Sequence, residues 1–371
     1  MIPSAVVMIL KPHKYQARAM EFGLDVPQSY QALDLGMGKT MVALNIISRL
    51  KQKAFIFGPL RTIYSSWPEE IAKWAPHLSY YICHGAEKSL YGLENCDIIL
   101  MNYEGLAWLA KQTAKWAKRV VVFDESSMCK SHSTSRFRTL KRSNTLWLEN
   151  KMCLSATPEP NALQELWSQY YLLDRGKALG KNITEFRTEY CSSFSFPGMS
   201  FTSYKVRPGC VQPIYDRVAP VTFRLDAADY LEMPPISYNY IKLELNSALT
   251  RRYKALQNTF YDELTMTEAP NAALLSMKLR QFVQGGLYDE GKVWNLIHNI
   301  KLNALKELLE TSAGHPILCA IQFKGELEVI RKSLGQGTPV IAGGTSTVLA
   351  QKYIKSWNHG EIPLLLCHPA S

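Results

Sequence analysis

Short apolar runs recur through the first part of this chain, and most are separated by amphipathic segments of helical length. Five runs have the composition of buried strands, at residues 54–57, 80–83, 98–101, 120–123 and 151–154. The intervening segments include 67–74 and 106–117. Strands buried on both faces are almost continuously apolar and are joined by helices, so this alternation predicts a parallel sheet covered on both sides.

The pattern changes near residue 174, where six prolines interrupt loop-like stretches before helical blocks at 247–263 and 271–284. Alternation then resumes with predicted helices at 293–310, 325–334 and 348–359 and strands at 316–321, 339–342 and 363–367. The prediction is an α/β fold in three segments. A first lobe at 1–175 is followed by a largely helical insertion at 176–295, and an incomplete second lobe occupies 296–371.

Composition narrows the class of protein. The chain has 371 residues, 47% of them hydrophobic and 20% charged, as in ordinary globular proteins with two or three domains. Its formal charge of +10 favours a polyanionic partner such as nucleic acid, although a merely basic protein fits the charge equally well.

Cysteine usage and the N-terminal sequence indicate the compartment. The eight cysteines are scattered without a CxxC pair or a Cys/His cluster, which suits buried thiols in a reducing environment. The apolar run at 2–10 is too short for a membrane span and lacks the cationic lead of a signal peptide. We therefore expect a cytoplasmic protein, of a bacterial cell or a virus-infected host cell, without a membrane partner.

The segment 34–40, Asp-Leu-Gly-Met-Gly-Lys-Thr, runs directly into an apolar helical pattern and predicts a phosphate-binding loop. Its glycines allow a backbone whose N–H groups turn inward onto an anion. Lys39 is expected to reach the β- and γ-phosphates, and the Thr40 hydroxyl to ligate Mg²⁺. Leu33 stands where the general pattern has glycine, and a simple Gly-rich turn before a helix has the same appearance. The predicted ATP-binding residues of the loop are Gly36, Met37, Gly38, Lys39 and Thr40.

Two further strand ends carry polar residues suited to ATP hydrolysis. Asp124 and Glu125 follow an apolar strand, where Asp124 is expected to hold Mg²⁺ and Glu125 to orient or deprotonate the attacking water. On their own, two solvated acids at a strand end would be the simpler interpretation. Residues Ser155, Ala156 and Thr157 follow the next strand and are expected to couple the γ-phosphate to a neighbouring lobe.

Taken in order along the chain, these segments resemble helicase superfamily two, and their details resemble its Swi/Snf-like branch of DNA-dependent ATPases. Lys14-Tyr15-Gln16 resembles the adenine-reading glutamine motif, with Gln16 as the reader. Other matching segments are 57–62, 102–104, 124–140, 155–167, 279–281, 321–323 and 343–346.

The resemblance implies tandem RecA-like P-loop lobes that bind ATP and Mg²⁺ and track along double-stranded DNA without separating its strands. By position in the family's motifs, the expected DNA contacts are Arg61, Asn102, Lys130, Gln322 and Thr345. The basic stretches at 111–119 and 130–142 are further candidates for phosphate contacts.

The chain also departs from the family pattern. Ser126 and Ser127 replace an Ala-His pair, and no Q-x-x-x-R-x-x-R segment occurs after Gln322. Arginines of that kind contribute roughly 10³ to 10⁵ in rate. The expectation is therefore a C-terminally truncated motor that binds ATP·Mg²⁺ but hydrolyses it poorly, unless a partner protein or a missing C-terminal segment completes the second lobe.

Three other functions remain open at this stage. A strand-separating DNA helicase would use the same chemistry, but nothing in the sequence identifies a wedge. A nucleotide-gated DNA clamp would bind ATP without hydrolysing it. A small-molecule kinase is disfavoured because Asp124-Glu125 and Ser155-Ala156-Thr157 fit a water-activating motor better.

Overall fold

A computed structural model describes residues 11–369 except 113–118, 143–148, 160–161, 196–201, 231–236, 263–264, 266, 270 and 313. The chain divides into two compact units, Met1–Pro234 and Pro235–Ser371. None of the described helices combines the length and apolar character that a membrane span needs.

The first unit alternates strands and helices along the chain. Its strands are β1 Gln28–Leu33, β2 Lys53–Gly58, β3 Tyr80–Ile82, β4 Ile98–Asn102, β5 Arg119–Asp124, β6 Lys151–Leu154, β7 Cys191–Phe194, β8 Ser203–Val206 and β9 Thr222–Leu225. Its described helices are α1 Lys14–Asp25, α2 Lys39–Leu50, α3 Leu60–Tyr64, α4 Ser66–Trp74, α5 Leu90–Asn95, α6 Leu106–Leu109, α7 Ser135–Arg142, α8 Leu166–Asp174, α9 Ile183–Tyr190 and α10 Val211–Val218.

Seven of these strands form one sheet in the order β3-β4-β2-β5-β6-β1-β9, and every neighbouring pair is parallel. Alternate residues of β2 and β5 pack into two different apolar clusters. Phe55, Phe57, Val121 and Phe123 belong to one, and Ala54, Ile56, Val120 and Val122 to the other. This period of two places one core on each face of the sheet and confirms the predicted parallel sheet covered on both sides.

The second unit is also α/β. Its strands are β10 Tyr261–Asp262, β11 Thr267–Glu268, β12 Gly286–Tyr288, β13 Trp294–Leu296, β14 Ile317–Ala320, β15 Val340–Ile341 and β16 Leu364–Cys367. Its described helices are α11 Ser247–Thr259, α12 Ala272–Val283, α13 Ile300–Thr311, α14 Lys324–Leu334 and α15 Thr347–Asn358. Strands β14, β16 and β15, in that order, form a parallel sheet at the three positions where strands were predicted.

The structure divides the chain differently from the predicted three segments. Strand β9 pairs in parallel with β1, so the chain as far as Leu225 belongs to the first unit. Residues 176–295 are therefore not one helical body, because their first part completes the large sheet and their second part packs in the second unit. A four-residue edge strand with one buried residue gives little apolar signal, which explains why the sequence pattern did not reveal it.

Two predicted helices also differ from the structure. Trp294–Leu296 forms a hairpin with β12, so the helix predicted from 293 begins at Ile300 instead. The Trp294 ring packs edge-on against Tyr288 at 4.9 Å, a cross-strand aromatic pair that favours the hairpin. The helix predicted at 106–117 is seen as α6 at its start, and residues 113–118 lie outside the described part of the chain.

Candidate nucleotide site

The order of strands in the large sheet brings three sequence motifs to one edge. Strand β6 lies between β1 and β5, and Leu154 is in register with Gln31 on one side and Asp124 on the other. Because all three strands are parallel, their carboxyl ends meet at the edge where open α/β sheets bind ligands. The phosphate loop follows β1, Glu125 follows β5, and Ser155 follows β6.

The loop after β1 has the backbone that its glycines predict. Gly36 and Gly38 have φ angles of +77° and +82°, in the left-handed region, and α2 begins at Lys39. The Lys39 ammonium donates to the backbone carbonyls of Leu33 at 2.8 Å and Asp34 at 3.1 Å. The loop is thus folded around its own lysine, whose ammonium is held by two neutral backbone carbonyls.

Lys39 also experiences the charges of the neighbouring motif. Burial lowers the pKa of its ammonium, while the carboxylates of Glu125 and Asp124 oppose that shift. Asp124 ends β5 and Glu125 follows it, and β6 separates β5 from β1 in the sheet. The ammonium of Lys39 and the two carboxylates are therefore near enough for their charges to interact.

Gln16 joins helix α1 to the phosphate loop. Its side chain is buried, its Oε1 accepts from the His13 backbone N–H at 2.8 Å, and its Nε2 donates to the Met37 carbonyl at 3.1 Å. A Cβ added to Gly38 would lie 2.5 Å from the Gln16 Nε2 atom. Glycine is therefore required at Gly38 both for its φ angle and for the approach of this amide. Adenine recognition by Gln16 stays a prediction.

The Asp124 carboxylate is held inside the sheet edge. Trp67, which is fully buried, donates its indole N–H to Asp124 Oδ2 at 2.9 Å, and the Tyr103 hydroxyl donates to the Asp124 backbone carbonyl at 2.8 Å. Burial raises the pKa of Asp124, the Trp67 hydrogen bond opposes this, and the neighbouring charge of Glu125 adds to the rise.

Glu125 has an unusual backbone conformation. Its φ and ψ angles are +51° and +56°, a left-handed geometry that is sparsely populated by residues with a Cβ and that clusters at functional sites. Its Oε1 atom accepts from the Ser127 hydroxyl at 2.7 Å and from the Ser155 hydroxyl at 3.4 Å. Ser127, which replaces the histidine of the family pattern, is therefore a direct partner of Glu125.

The serine-alanine-threonine segment, residues 155–157, contacts Glu125 through its serine. Ser155 is fully buried, and its Oγ accepts from the Thr157 backbone N–H at 3.2 Å. Ala156 is partly exposed and Thr157 is exposed. The Ser155 hydroxyl therefore contacts the Glu125 carboxylate, whereas Ala156 and Thr157 are open to solvent.

The oxygen donors at this edge fit a magnesium ion shared with phosphates. Among the described residues, no group of three or more His, Cys, Asp or Glu side chains is placed to hold a metal ion. Mg²⁺ is commonly bound by one or two carboxylates together with substrate phosphates and water. Asp124 and the hydroxyl of Thr40, in the first turn of α2, are oxygen ligands of that kind.

The candidate DNA contacts of the first unit also follow carboxyl ends of the sheet. Arg61 lies in α3 after β2, and Asn102 ends β4 in register with Gly58. The Asn102 side chain is buried and donates to Glu104 Oε2 at 2.8 Å, and Lys130 Nζ lies 3.5 Å from Glu165 Oε1. Asn102 and Lys130 therefore have protein partners here, and their contact with DNA stays a prediction.

In the second unit, Gln322 and Thr345 follow strands β14 and β15. Gln322 is exposed. The Thr345 hydroxyl donates to the Val340 carbonyl at 3.1 Å and accepts from the Ala342 backbone N–H at 3.0 Å, which closes the turn after β15. Thr345 thus has a structural role in its own turn, whereas Gln322 is accessible to a ligand.

Comparison with known proteins identifies the family of this chain. The SNF2-related domain matches residues 29–289, well over half of the chain, including the phosphate loop and both later motifs. The chain belongs to the SNF2-related domain family. This confirms the Swi/Snf-like resemblance within helicase superfamily two.

Individual relatives of the SNF2-family chain cover it to different extents. Protein p41 of Acyrthosiphon pisum secondary endosymbiont phage 1 is 29% identical over 97% of this chain and 81% of its own length. The ATP-dependent DNA helicase DDM1 of Arabidopsis thaliana is 31% identical over 36% of this chain, a match that spans 19% of DDM1. The Sulfolobus solfataricus SWI2/SNF2 ATPase core, solved in complex with double-stranded DNA, has the same fold. Its TM-score is 0.51 at 21% identity, over 97% of this chain and 78% of that structure.

The end of β9 and the segment after it lie against the candidate phosphate loop, and the sequence pattern did not reveal this contact. The Asp34 backbone N–H donates to the Leu225 carbonyl at 3.2 Å, and the Ala227 N–H donates to Asp34 Oδ2 at 3.3 Å. Tyr230 packs against Tyr15, next to Gln16 in α1, at 5.5 Å between ring centroids. These residues follow the loop by almost 200 positions and carry no motif, so only the pairing of β9 with β1 identifies them.

Proposed function

We propose that this SNF2-family chain is the core of a motor that hydrolyses ATP to ADP and phosphate and uses the energy to translocate on, or remodel, double-stranded DNA. The carrying observation is the convergence of Lys39, Asp124 and Glu125 at one sheet edge, with Glu125 in a left-handed backbone and held by two serine hydroxyls. Such a cation opposite two carboxylates fits the hydrolysis of a nucleoside triphosphate by water.

The phosphate loop binds the triphosphate in this proposal. Backbone N–H groups of Gly36, Met37 and Gly38 surround the phosphates, and Lys39 exchanges the carbonyls of Leu33 and Asp34 for phosphate oxygens. The exchange replaces neutral acceptors by charged ones, which form stronger hydrogen bonds with an ammonium. The difference in strength between the new and the old hydrogen bonds of Lys39 therefore contributes to the binding energy of ATP.

Thr40 and Asp124 would hold Mg²⁺, which when bound neutralises charge on the β- and γ-phosphate oxygens. The buried position of Asp124 disfavours its ionised form, and the Trp67 indole keeps the carboxylate in a fixed orientation. A fixed carboxylate loses little freedom when a ligand binds, which increases the affinity of the site.

Glu125 orients the attacking water and accepts its proton. Ser127 and Ser155 donate to the same oxygen, Oε1, so they fix the orientation of the carboxylate. Because Ser155 belongs to the segment after β6, a movement of Glu125 that accompanies hydrolysis also changes the contacts of Ser155, Ala156 and Thr157. We assign that segment to coupling between the nucleotide and DNA.

DNA binding is supported by charge and by the likeness to the Sulfolobus core, which was solved with double-stranded DNA. Helix α7 buries Phe137 and Leu140 and carries four basic residues, Arg136, Arg138, Lys141 and Arg142. Neutralisation of phosphates by such residues gives affinity without sequence preference, as a translocating protein needs. Arg61, Asn102, Lys130, Gln322 and Thr345 remain the proposed individual contacts.

ATP hydrolysis measured with and without duplex DNA tests this proposal. We expect a low rate of turnover, because no Q-x-x-x-R-x-x-R segment follows Gln322, and we expect duplex DNA to raise that rate. Lys39→Ala should abolish ATP binding and turnover together. Glu125→Gln should retain ATP binding but lower kcat by about 10² to 10⁴, the usual contribution of a general base. Unchanged turnover in Lys39→Ala, or turnover indifferent to DNA, would contradict the proposal.

The type of work is measured separately. Displacement of a third strand from duplex DNA reports translocation, and a forked duplex reports strand separation. Displacement of the third strand without unwinding of the fork is expected. Unwinding of the fork would favour a strand-separating helicase, and ATP-dependent DNA binding without any turnover would favour a clamp.

A further inference from the structure

Three buried polar side chains contact one another beside the loop that carries the candidate catalytic Glu125. Tyr30 of β1, Ser126 after β5 and Gln169 of α8 are each completely buried. The Tyr30 hydroxyl lies 2.7 Å from Ser126 Oγ and 2.7 Å from Gln169 Oε1, and Ser126 Oγ lies 2.9 Å from the same Oε1 atom. These three oxygens form a triangle in which each lies within hydrogen-bond distance of the other two, and the two hydroxyl protons make two hydrogen bonds at a time.

The triangle is anchored at its far end on the segment that follows β6. The Gln169 amide nitrogen donates to the backbone carbonyls of Pro158 and Glu165. Both hydrogens of the amide group are therefore used, and its oxygen lies within hydrogen-bond distance of both hydroxyl groups. Pro158 directly follows Thr157, so one amide group spans the loop of Glu125 and the loop of Ser155.

Ser126 gives this chain a contact that the D-E-A-H pattern lacks, since alanine has no hydroxyl at that place. The two hydroxyl groups supply two protons for three close oxygen pairs, so the hydrogen bonds can rearrange without leaving a group unsatisfied. A buried network that is fully satisfied rigidifies its surroundings, and a partly satisfied one is costly. A displacement of either loop must therefore displace the other or break the network.

We infer that Tyr30, Ser126 and Gln169 are positioning residues that hold the loop of Glu125 and the loop of Ser155 in one mutual arrangement. The catalytic part of this inference rests on the proposed ATP hydrolysis. The mechanical part, that the two loops respond together, does not depend on it. The rival explanation is a buried cluster that contributes only to overall stability.

Tyr170 supplies a matched control. It is also buried, and its ring stacks on Tyr30 at 5.0 Å, but its hydroxyl pairs with Thr222 Oγ1 at 2.7 Å instead of with the triangle. Tyr30→Phe and Tyr170→Phe each remove one buried phenolic hydroxyl from neighbouring rings. A role limited to stability would give these two variants similar effects.

Hydrogen exchange of the nucleotide-free chain tests the mechanical part. The reporter amides are Met128, which donates to the Glu125 carbonyl at 2.9 Å, and Thr157, which donates to Ser155 Oγ at 3.2 Å. Tyr30→Phe and Ser126→Ala should accelerate exchange at both amides by about fivefold or more, the loss expected for one buried hydrogen bond. Tyr170→Phe should leave both unchanged. Acceleration at only one amide, or equal acceleration in the control, would overturn the inference.

Steady-state kinetics test the catalytic part. Tyr30→Phe and Ser126→Ala should each lower kcat about tenfold with little change in the KM for ATP, because the network aligns Glu125 and does not touch the nucleotide. Both variants act on the same Gln169 oxygen, so the double variant should lose less than the product of the single losses. Equal kcat in Tyr30→Phe and Tyr170→Phe would overturn this part.

The two tests separate the failure of this inference from the failure of the proposed function. Absence of turnover in the unaltered chain contradicts ATP hydrolysis, and the exchange experiment then decides the inference alone. Normal DNA-stimulated turnover with independent exchange of the two amides contradicts the inference and leaves the proposed function intact.

Discussion

The two parallel sheets of this protein differ most at their carboxyl edges. In the first unit, strands buried on both faces end in residues that interact with one another: the charges of Asp124 and Glu125 influence the pKa of Lys39, and Glu125 accepts a hydrogen bond from Ser155. In the second unit, Gln322 is exposed after β14 and Thr345 closes its own turn. The burial of the strands differs in the same way, since β2 and β4 are almost wholly buried and Leu318 in β14 is 54% exposed.

This contrast indicates what a parallel sheet needs in order to build a precise site. Buried strands cannot shift register without exposing their apolar residues, so the side chains at their ends are held in fixed positions. A sheet with an exposed face constrains the positions of the residues that follow its strands less strongly. We therefore expect the function of the carboxyl edge of the first sheet to depend on the exact positions of its side chains. We expect any ligand contact at the carboxyl edge of the second sheet to depend on which side chains are exposed.

The largest expected effect is on the stability of the two sheets. Phe57 is fully buried and stacks on Phe55 at 6.1 Å and on Phe123 at 6.0 Å, so Phe57→Ala should lower the free energy of unfolding of the first unit by about 3–5 kcal/mol. Leu318→Ala, the counterpart in the second sheet, should change stability by no more than about 0.5 kcal/mol. Denaturant-dependent hydrogen exchange of peptides from each unit measures both. A large loss in Leu318→Ala would show that the exposed face of β14 is covered in solution.

A smaller effect on stability is expected for Asp124→Asn, and it is an increase instead of a decrease. Burial raises the pKa of Asp124 in the folded chain, so folding favours its protonated form. That contribution is present below the pKa of the unfolded chain and is lost as the pH rises through the higher folded pKa. At pH 7.5 without nucleotide, Asp124→Asn should therefore melt at a higher temperature than the unaltered chain, while its ATP turnover falls by about 100-fold or more.

Asp97 is the control for this prediction. Its carboxylate accepts from the Ser79 hydroxyl at 2.6 Å and the Ser79 backbone N–H at 2.9 Å, and the hydroxyl is the main cause of its lowered pKa. Its contribution to stability is present above the pKa of the unfolded chain and is lost as the pH falls through the lower folded pKa. Asp97→Asn should thus melt at a lower temperature at pH 7.5 and retain turnover. Melting curves between pH 4 and 8 would contradict the comparison if both variants shifted in the same direction.

The smallest predicted effect concerns two glutamines. Gln16→Ala removes the amide that holds the Met37 carbonyl, so the dissociation constant for ATP should rise about fivefold. Gln322→Ala removes an exposed side chain after β14 and should leave ATP affinity unchanged. Binding of a fluorescent ATP analogue measures both constants. An unchanged affinity in Gln16→Ala would remove this residue from the nucleotide site.

Four strands of the first sheet, β2, β4, β5 and β6, could be predicted accurately because their residues are almost all buried, with the sheet covered on both faces. Strands β2, β4, β5 and β6 lie where apolar runs were found, and the phosphate loop follows a strand as expected. The errors fall where burial is partial. Strand β9 has one buried residue, and Trp294–Leu296 has none, so neither gives a period that sequence can detect.

The amino-acid sequence by itself determined which chemical groups this protein brings to its site: glycines for a phosphate loop, a lysine, two carboxylates and a hydroxyl segment, in the order of a Swi/Snf-like ATPase. Their spacing along the chain could not determine what each side chain contacts. Trp67 on Asp124, Ser127 on Glu125, Tyr230 beside Tyr15 and the triangle behind the carboxylates come from elements far apart in sequence or from local backbone geometry. Only the tertiary structure decides these contacts, because strand order and burial bring the groups together.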